Sequence, residues 1–437
     1  MGIKTEIKEK FLSYYSVIMV IVLLATVNLH SSVLLYLLLG GTALLLLNPV
    51  YILPVYIISS LSTNYFIAGD GLGISRLIGF ILIAGGVIYQ LQNNYPFRKK
   101  ELIFLALIFI YSFVSSVFSI TGSLKAFITL AQNIIVILLV SQFRNINLQH
   151  LSQLLIISAV LTILILALTL KENLIIIQAQ RLTTGEDVNE NRFAMMLAQL
   201  TAITFSGFFI FTRKKLYQTI ILSVIILSYF MLILSGSRSA VIGITGAIMV
   251  ILFYLFKKQP RKFIIPLILL LVTGYFFINQ IQQLDIPFIE RFTIENVKES
   301  GGTHRLDTWE KLVPVTLENS AWFGYGLGGE NSYALAYRNG LSHAAHNFLI
   351  DMLIQTGIVG VILFFSFFIL LGKKLKNLLK ISVIILPVII LLTALFNGIG
   401  EVVYLEKLFW NGIALALLYT NNLTNYMGPD TKTELTN

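Results

Sequence analysis

The chain has 437 residues, of which 57% are hydrophobic and 12% are charged. A soluble globular protein has about 25% charged residues, so this composition excludes an ordinary cytosolic enzyme. The apolar residues form blocks of about twenty, the length a helix needs to cross a hydrocarbon core about 30 Å thick. Because the chain has no cysteine, disulfides, thiolate catalysis and cysteine-ligated metals are excluded. The sequence predicts an all-α, polytopic helical membrane protein.

The apolar blocks predict twelve to fourteen transmembrane helices. In chain order they cover residues 11–29, 31–47, 49–67, 73–91, 101–119, 124–141, 151–170, 192–211, 216–235, 238–256, 262–279, 346–371, 380–397 and 402–420. Pro49 and Pro54 leave an alternative for residues 31–67, which are then a kinked span or a re-entrant pair. Fourteen spans use about 280 residues, so there is no room for a separate soluble domain of usual size.

The net charge of +10 follows the predicted loops. Clusters of Lys and Arg recur at every second loop, for example at 98–100, 213–215 and 257–262. The positive-inside rule places these loops and both termini in the cytoplasm. We therefore predict that the charge reflects topology and that nucleic acid is not a partner. The N-terminal apolar run has no convincing cleavage site and is predicted to be a retained span.

Four segments follow from this topology. Residues 1–279 form an N-terminal transmembrane bundle, 280–345 an extracytoplasmic loop with an amphipathic helix, 346–420 the last three spans, and 421–437 a disordered cytoplasmic tail. Long loops outside a membrane usually serve binding or catalysis. The loop helix is expected to have Thr303 as its N-cap and to end at Pro314, with its apolar face on the bilayer. The glycine-rich run 323–329 is predicted to be a flexible turn.

Three arginines at the predicted outer surface are candidates for anion binding. Arg238 lies in a tight hairpin, Ser235–Ala240, and Arg305 lies in the first turn of the loop helix, where free amide N–H groups attract anions. Arg181 lies in the loop before the eighth span. A guanidinium group suits phosphate oxygens. The alternatives are a snorkelling anchor for Arg238 and ordinary solvated charges for Arg305 and Arg181.

His343 and His346 come immediately before the third-last span. An imidazole changes its protonation near neutral pH, so it is suited to take a proton from a hydroxyl. The alternatives are a zinc site and a simple helix entry, but no third ligand has a suitable spacing, so no metal is predicted. Asn347, Asp351 and Gln355 continue the sequence as a polar stripe that is expected to face other helices.

Arginines and a histidine at an outer membrane surface suit a lipid-linked, anionic substrate and a hydroxyl acceptor. The arginines would hold a phosphate or pyrophosphate leaving group, and the histidine would activate the attacking hydroxyl. A transporter or flippase is the rival from another class, although internal repeats and mid-membrane charges would then be expected. A structural scaffold is a third possibility. Arg192 is predicted to be a helix-end residue, and Glu401 has no predicted role.

Four stretches of the chain resemble the O-antigen ligase and O-antigen polymerase family. They are residues 187–194, 235–240, 304–309 with 322–328, and 346–349 with 355–360. In this order and spacing they cover roughly residues 180 to 370. The resemblance implies a GT-C-like membrane glycosyltransferase without cofactor or metal. It also implies a multi-pass protein of the bacterial cytoplasmic membrane whose active site is on the extracytoplasmic face.

The resemblance also implies a reaction. Family members transfer a glycan from undecaprenyl pyrophosphate to a hydroxyl, with inversion at the anomeric carbon. By motif, Arg238 and Arg305 match the pyrophosphate-binding arginines and His346 matches the base, with Arg181 and His343 as further substrate-binding candidates. We expect an O-antigen, capsule or exopolysaccharide polymerase. The alternative is a ligase that joins the glycan to lipid A-core or another acceptor. Other polysaccharide assembly proteins are expected partners.

Overall fold

The fold is that of a computed structural model, which describes residues 2–29, 31–61, 73–93, 99–118, 123–170, 190–211, 215–256, 305–327, 345–379, 381–401 and 406–426. Within these residues every regular element is a helix, and there is no strand. The predicted all-α class is therefore confirmed. The division into four segments stays a prediction.

The described ranges contain fourteen α-helices. They are α1 Gly2–Leu29, α2 Ser32–Leu44, α3 Ile52–Leu61, α4 Ile74–Asn93, α5 Lys99–Phe118, α6 Leu124–Val140, α7 Leu148–Leu170, α8 Glu190–Ile210, α9 Lys215–Leu234, α10 Arg238–Phe256, α11 Arg305–Ser320, α12 Phe348–Leu378, α13 Ile385–Asn397 and α14 Lys407–Tyr426.

Seven helices of the described part are long and apolar enough to cross a membrane: α1, α4, α7, α8, α9, α10 and α12. Shorter apolar helices account for most of the other predicted spans. The prediction of a polytopic membrane protein is confirmed. The predicted span 262–279 lies outside the described residues.

The chain between α2 and α3 is broken, as the prolines suggested. Two short 3-10 turns, Leu45–Leu47 and Pro49–Tyr51, separate the helices. With 13 and 10 residues, α2 and α3 are each too short to cross a core about 30 Å thick as separate spans. All ten residues of α3 are buried. This geometry favours a kinked or re-entrant pair over two complete spans.

Side-chain contacts identify the two ends of the bundle. At one end, the Tyr89 hydroxyl accepts from the backbone N–H of Arg144 at 3.0 Å, and Asn422 donates to the carbonyl of Phe143 at 2.9 Å. At the other end, Lys407 donates to Ser75 at 2.7 Å. The basic residue Arg144, predicted to be cytoplasmic, thus lies at the end opposite to the starts of α4 and α14.

The loop helix is longer than predicted. It runs from Arg305 to Ser320 and continues through Pro314, so the prediction that Pro314 ends it is wrong. Proline removes the hydrogen bond to the carbonyl of Glu310, four residues earlier. Because both residues lie on the exposed side of α11, water can solvate that carbonyl and the helix tolerates the loss. Thr303, the predicted cap, lies outside the described residues.

The apolar face of α11 packs on protein. Leu312 is fully buried and belongs to a small cluster with Ala345 and Ile354 of the α12 region. The predicted amphipathic pattern is therefore present, but this part of its apolar face covers the start of α12 instead of lying on the bilayer.

The glycine-rich segment after α11 is docked into a break in α12. Gly357, with φ 63° and ψ −171°, interrupts the helix. The carbonyl of Ile354 accepts from the N–H of Tyr325 at 2.7 Å, and the N–H of Ile358 donates to the carbonyl of Ala321 at 2.8 Å. The described part of the glycine-rich segment is thus a joint between α11 and α12 that is held by backbone hydrogen bonds. The prediction of a flexible turn is wrong for this part.

Candidate functional site

His346 lies in a strained backbone just before α12. Its φ of 47° is a left-handed conformation that costs a non-glycine residue about 1–3 kcal/mol. The indole N–H of Trp309 in α11 donates to the carbonyl of Ala345 at 2.7 Å. Asn347 caps α12 by accepting from the N–H of Leu349 at 3.0 Å. These contacts on both sides of His346 hold the unusual backbone in place.

A loop after α13 supports His346 from the other direction. The carbonyl of Gly398 accepts from the N–H of Phe348 at 2.7 Å, and the side chain of Asn347 donates to the carbonyl of Ile399 at 3.2 Å. The segment before α12 and the loop that follows α13 are therefore joined at the backbone. This junction brings Glu401 to His346.

The imidazole of His346 is paired with Glu401. Its Nδ1 lies 3.1 Å from Oε2 of Glu401. Since a carboxylate only accepts hydrogen bonds, Nδ1 carries the hydrogen in this pair, and Nε2 of the neutral ring is left with a lone pair. The His346 side chain is 43% exposed and that of Glu401 is 9% exposed. A partly accessible imidazole held by a buried carboxylate is the arrangement of a general base and the group that orients it.

Arg238 lies at the same end of the bundle as this pair. It is the first residue of α10 and follows a tight turn in which Gly236 has φ 65°. Gly243, five residues into α10, packs so closely on α13 that a β-carbon there would overlap the side chain of Asn397. Five residues of helix rise about 7–8 Å. The contact therefore sets the start of α10 beside the loop that contains Glu401.

Arg305 is brought to His346 by α11. It is the first residue of this helix, one turn before Trp309, whose indole is bonded to the residue next to His346. Residues four apart lie on the same face of a helix. The N-terminal turn of α11, with its unpaired backbone N–H groups, therefore starts close to the imidazole. The structure describes the backbone of Arg305 and not its side chain.

The joint between α11 and α12 fixes this placement. The hydroxyl of Tyr111 in α5 donates to the carbonyls of Trp322 and Thr356, at 2.9 and 2.6 Å. A β-carbon on Gly324 would lie 2.6 Å from the backbone of α12. Only glycine allows this approach at a φ of 68°. The position of α11 relative to His346 is therefore set by a tightly fitted backbone contact.

Two predicted site residues lie outside the described part of the chain, namely Arg181 and His343. Arg192 is described, and its Nη2 lies 3.1 Å from Oε1 of Glu406. The prediction that it is a helix-end residue agrees with its place in the first turn of α8.

The polar stripe of α12 is buried, as predicted. Asp351 and Gln355 are 0% and 1% exposed. Gln355 donates to Asp351 at 2.9 Å within the same helix, whereas bonds between helices were expected for these side chains.

Sequence reasoning missed two contributors to the site. Glu401 had no predicted role, although a carboxylate at the same predicted surface as His346 was a usable signal. Trp309 was not singled out as a site residue, and its indole N–H gave no sign of a partner 36 residues away.

The starts of α10, α11 and α12 and the loop after α13 thus form one composite site. The helix starts place two arginine positions at the same end of the bundle as the His346–Glu401 pair. Such a site can bind an anionic leaving group and accept a proton from a nucleophile. The fold and site define a polytopic helical membrane protein with a histidine–carboxylate pair at one end of the bundle.

Comparison with known proteins gives one family match. Residues 221–365 match the family model described as O-antigen ligase. The matched region, about a third of the chain, includes Arg238, Arg305, His343 and His346, and it supports the resemblance noted in the sequence. The match supports glycan transfer of the O-antigen ligase or polymerase type. A comparison with curated proteins finds no match.

Proposed function

We propose that this protein transfers a glycan from undecaprenyl pyrophosphate to a hydroxyl acceptor on the outer face of the bacterial cytoplasmic membrane. We further propose that it acts as a polymerase, so that the acceptor is another lipid-linked repeat unit. The observation that supports the transfer most strongly is the His346–Glu401 pair, 3.1 Å apart, beside the starts of the two helices that begin with Arg238 and Arg305.

The first step is activation of the acceptor. Nε2 of His346 takes the proton of the acceptor hydroxyl while the oxygen attacks the anomeric carbon. Glu401 accepts from Nδ1 throughout, so it keeps the ring in the productive tautomer and stabilises the imidazolium that forms. The exposed fraction of His346 allows a substrate to reach the ring, and the burial of Glu401 limits competition from water.

The lipid pyrophosphate departs from the donor in the same step. The bond between the anomeric carbon and the pyrophosphate oxygen breaks, and the electron pair stays on the pyrophosphate. Arg238, Arg305 and the free N–H groups of the α11 N-terminus neutralise the charge that develops there. Attack from the face opposite to the leaving group inverts the anomeric configuration. Neither a nucleotide nor a metal takes part in this scheme.

A reconstituted assay tests the proposal. Purified full-length protein in lipid nanodiscs is given an undecaprenyl-pyrophosphate-linked repeat unit as its only glycan substrate. Chain growth with release of undecaprenyl pyrophosphate supports a polymerase. Strict dependence on a second kind of acceptor supports a ligase and removes the polymerase assignment. His346→Ala is the control, and transfer at a normal rate by this variant would remove the proposed base.

A further inference from the structure

A second group of cations lies where α4 and α14 begin. Lys407 is the first residue of α14, and its ammonium donates to the hydroxyl of Ser75 at 2.7 Å. Ser75 is fully buried, and Arg76 follows it in the first turn of α4. Arg76 and Lys407 are both half-buried, and Arg76 is near enough to repel the ammonium of Lys407. We call Arg76 and Lys407 the α4/α14 cation pair.

The charges around this pair do not balance. Glu406 is the acid that attracts Lys407, but its carboxylate also pairs with Arg192 at 3.1 Å. Among the described residues, Arg76 makes no side-chain ion pair. Among the described residues, Glu406 is thus divided between Arg192 and Lys407, and Arg76 has no carboxylate of its own. Two partly buried like charges repel each other more strongly than they would in water, so an anionic ligand is the natural complement.

The location of the pair also argues for a ligand. Basic residues are depleted on extracytoplasmic loops, and by the predicted topology both α4 and α14 begin at that surface. The charge of the pair therefore does not follow from orientation in the membrane. The fork of an arginine together with the compact ammonium of a lysine suits phosphate oxygens. At the ends of membrane helices, the phosphate of a lipid headgroup or of a lipid-linked sugar is within reach.

Arg76 lies on a different flank of the bundle from Arg238, whereas Lys407 begins a helix that packs on α13, as α10 does. Helix α4 packs against α3 and α6, whereas α10 packs against α8 and α13. Glu401 and Lys407 are six positions apart in the segment of chain that follows α13. A cation pair that is separate from Arg238 suits an extended acceptor. Its attacking hydroxyl belongs to a sugar, so its lipid phosphate must lie away from His346 when the hydroxyl is at the base.

We propose that Arg76 and Lys407 bind the phosphate of a second lipid-linked substrate, the acceptor, while the donor pyrophosphate is bound at Arg238 and Arg305. This inference rests on the proposed polymerase function. It gives the enzyme two lipid-phosphate sites at the same end of the bundle.

Ligand counting tests the inference. Full-length protein in phosphatidylcholine nanodiscs is titrated with undecaprenyl pyrophosphate, and bound ligand is counted by native mass spectrometry. We expect two molecules per wild-type chain and one for the double variant Arg76→Gln/Lys407→Gln. Arg238→Gln should also bind one, because it retains the other site. A single bound molecule in the wild type, or two in the double variant, would overturn the proposal.

Matched variants separate binding from misfolding. Lys215→Gln removes an exposed cation at the start of α9 and should bind two molecules. Arg76→Lys keeps the charge and should also retain both. An excess of phosphatidylglycerol tests the other source of phosphate. If this lipid displaces the second molecule, the pair is a general headgroup site and the acceptor assignment is wrong.

Turnover supplies an independent measurement. In chain-growth assays, Arg76→Gln should raise KM for the repeat unit about tenfold, the effect of losing about 1.4 kcal/mol of binding. Its kcat should stay within about twofold of wild type, since an interaction formed equally in ground and transition states affects KM alone. An unchanged KM would contradict the second site, while continued chain growth by the wild type would leave the proposed function intact.

Discussion

Replacing Glu401 by glutamine removes the negative charge that faces His346 and keeps an oxygen that can accept from Nδ1. A hydrogen bond to a charged group contributes about 1.5–3 kcal/mol. Because 43% of the His346 side chain is exposed, solvent screening lowers this to about 1–2 kcal/mol. The contribution applies mainly when the imidazole is protonated in the transition state. We therefore expect kcat to fall about 5- to 30-fold, with KM for the donor nearly unchanged.

The assay is chain growth from a lipid-linked repeat unit by purified protein in nanodiscs. Glu318→Gln is the matched control, since it removes an exposed carboxylate from α11 and should leave kcat as it is. Glu401→Asp should recover part of the lost rate. If Glu401→Gln has a wild-type kcat, or if it raises KM without changing kcat, then Glu401 does not act through the imidazole of His346.

Three further variants test the elements that build the site. Gly357→Ala places a methyl group on the carbonyl of Trp322 at a φ of 63°, so it should destabilise the protein by about 1–3 kcal/mol in a thermal unfolding assay. The control Gly372→Ala has open space around it and should not destabilise the protein. Equal melting temperatures for Gly357→Ala and the wild type would refute the joint between α11 and α12. Trp309→Phe loses the bond that holds the backbone before the base, worth about 1 kcal/mol, so kcat should drop about fivefold; an unchanged kcat would remove this role. Arg238→Gln should weaken donor binding about tenfold or more, as measured by undecaprenyl pyrophosphate titration, with Arg238→Lys intermediate; normal donor affinity in Arg238→Gln would exclude Arg238 from the pyrophosphate site.

Much of the fold was predictable because a membrane protein must satisfy its backbone inside each span. Long apolar runs therefore coincide with helices: the span predicted at 238–256 is α10, and the break at Pro49 was visible in the sequence. The failures occur where the surroundings of a residue in the folded chain override its local signal. Pro314 usually ends a helix, but α11 continues through it because the carbonyl left unbonded is on the exposed side.

The residues proposed for the site came from the sequence, whereas the contacts that join them did not. Arg238, Arg305 and His346 were selected from topology, residue chemistry and family resemblance. The pairing of His346 with Glu401 joins residues 55 apart through a backbone junction that no local pattern indicates. The joint at Gly324 and Gly357 depends on two loops that meet only in the folded chain, so the sequence suggested a turn where the structure has a fixed contact.

Photo-crosslinking of a donor analogue tests the composite site most directly. An undecaprenyl-pyrophosphate-linked sugar with a photoreactive group next to the pyrophosphate is bound to wild-type protein, and crosslinked peptides are mapped by mass spectrometry. We expect labels at the starts of α10 and α11 and at residues 345–348, with loss of all three when excess undecaprenyl pyrophosphate is present. Labels confined to one of these segments, or labels at the opposite end of the bundle near Arg144, would contradict a single site for glycan transfer.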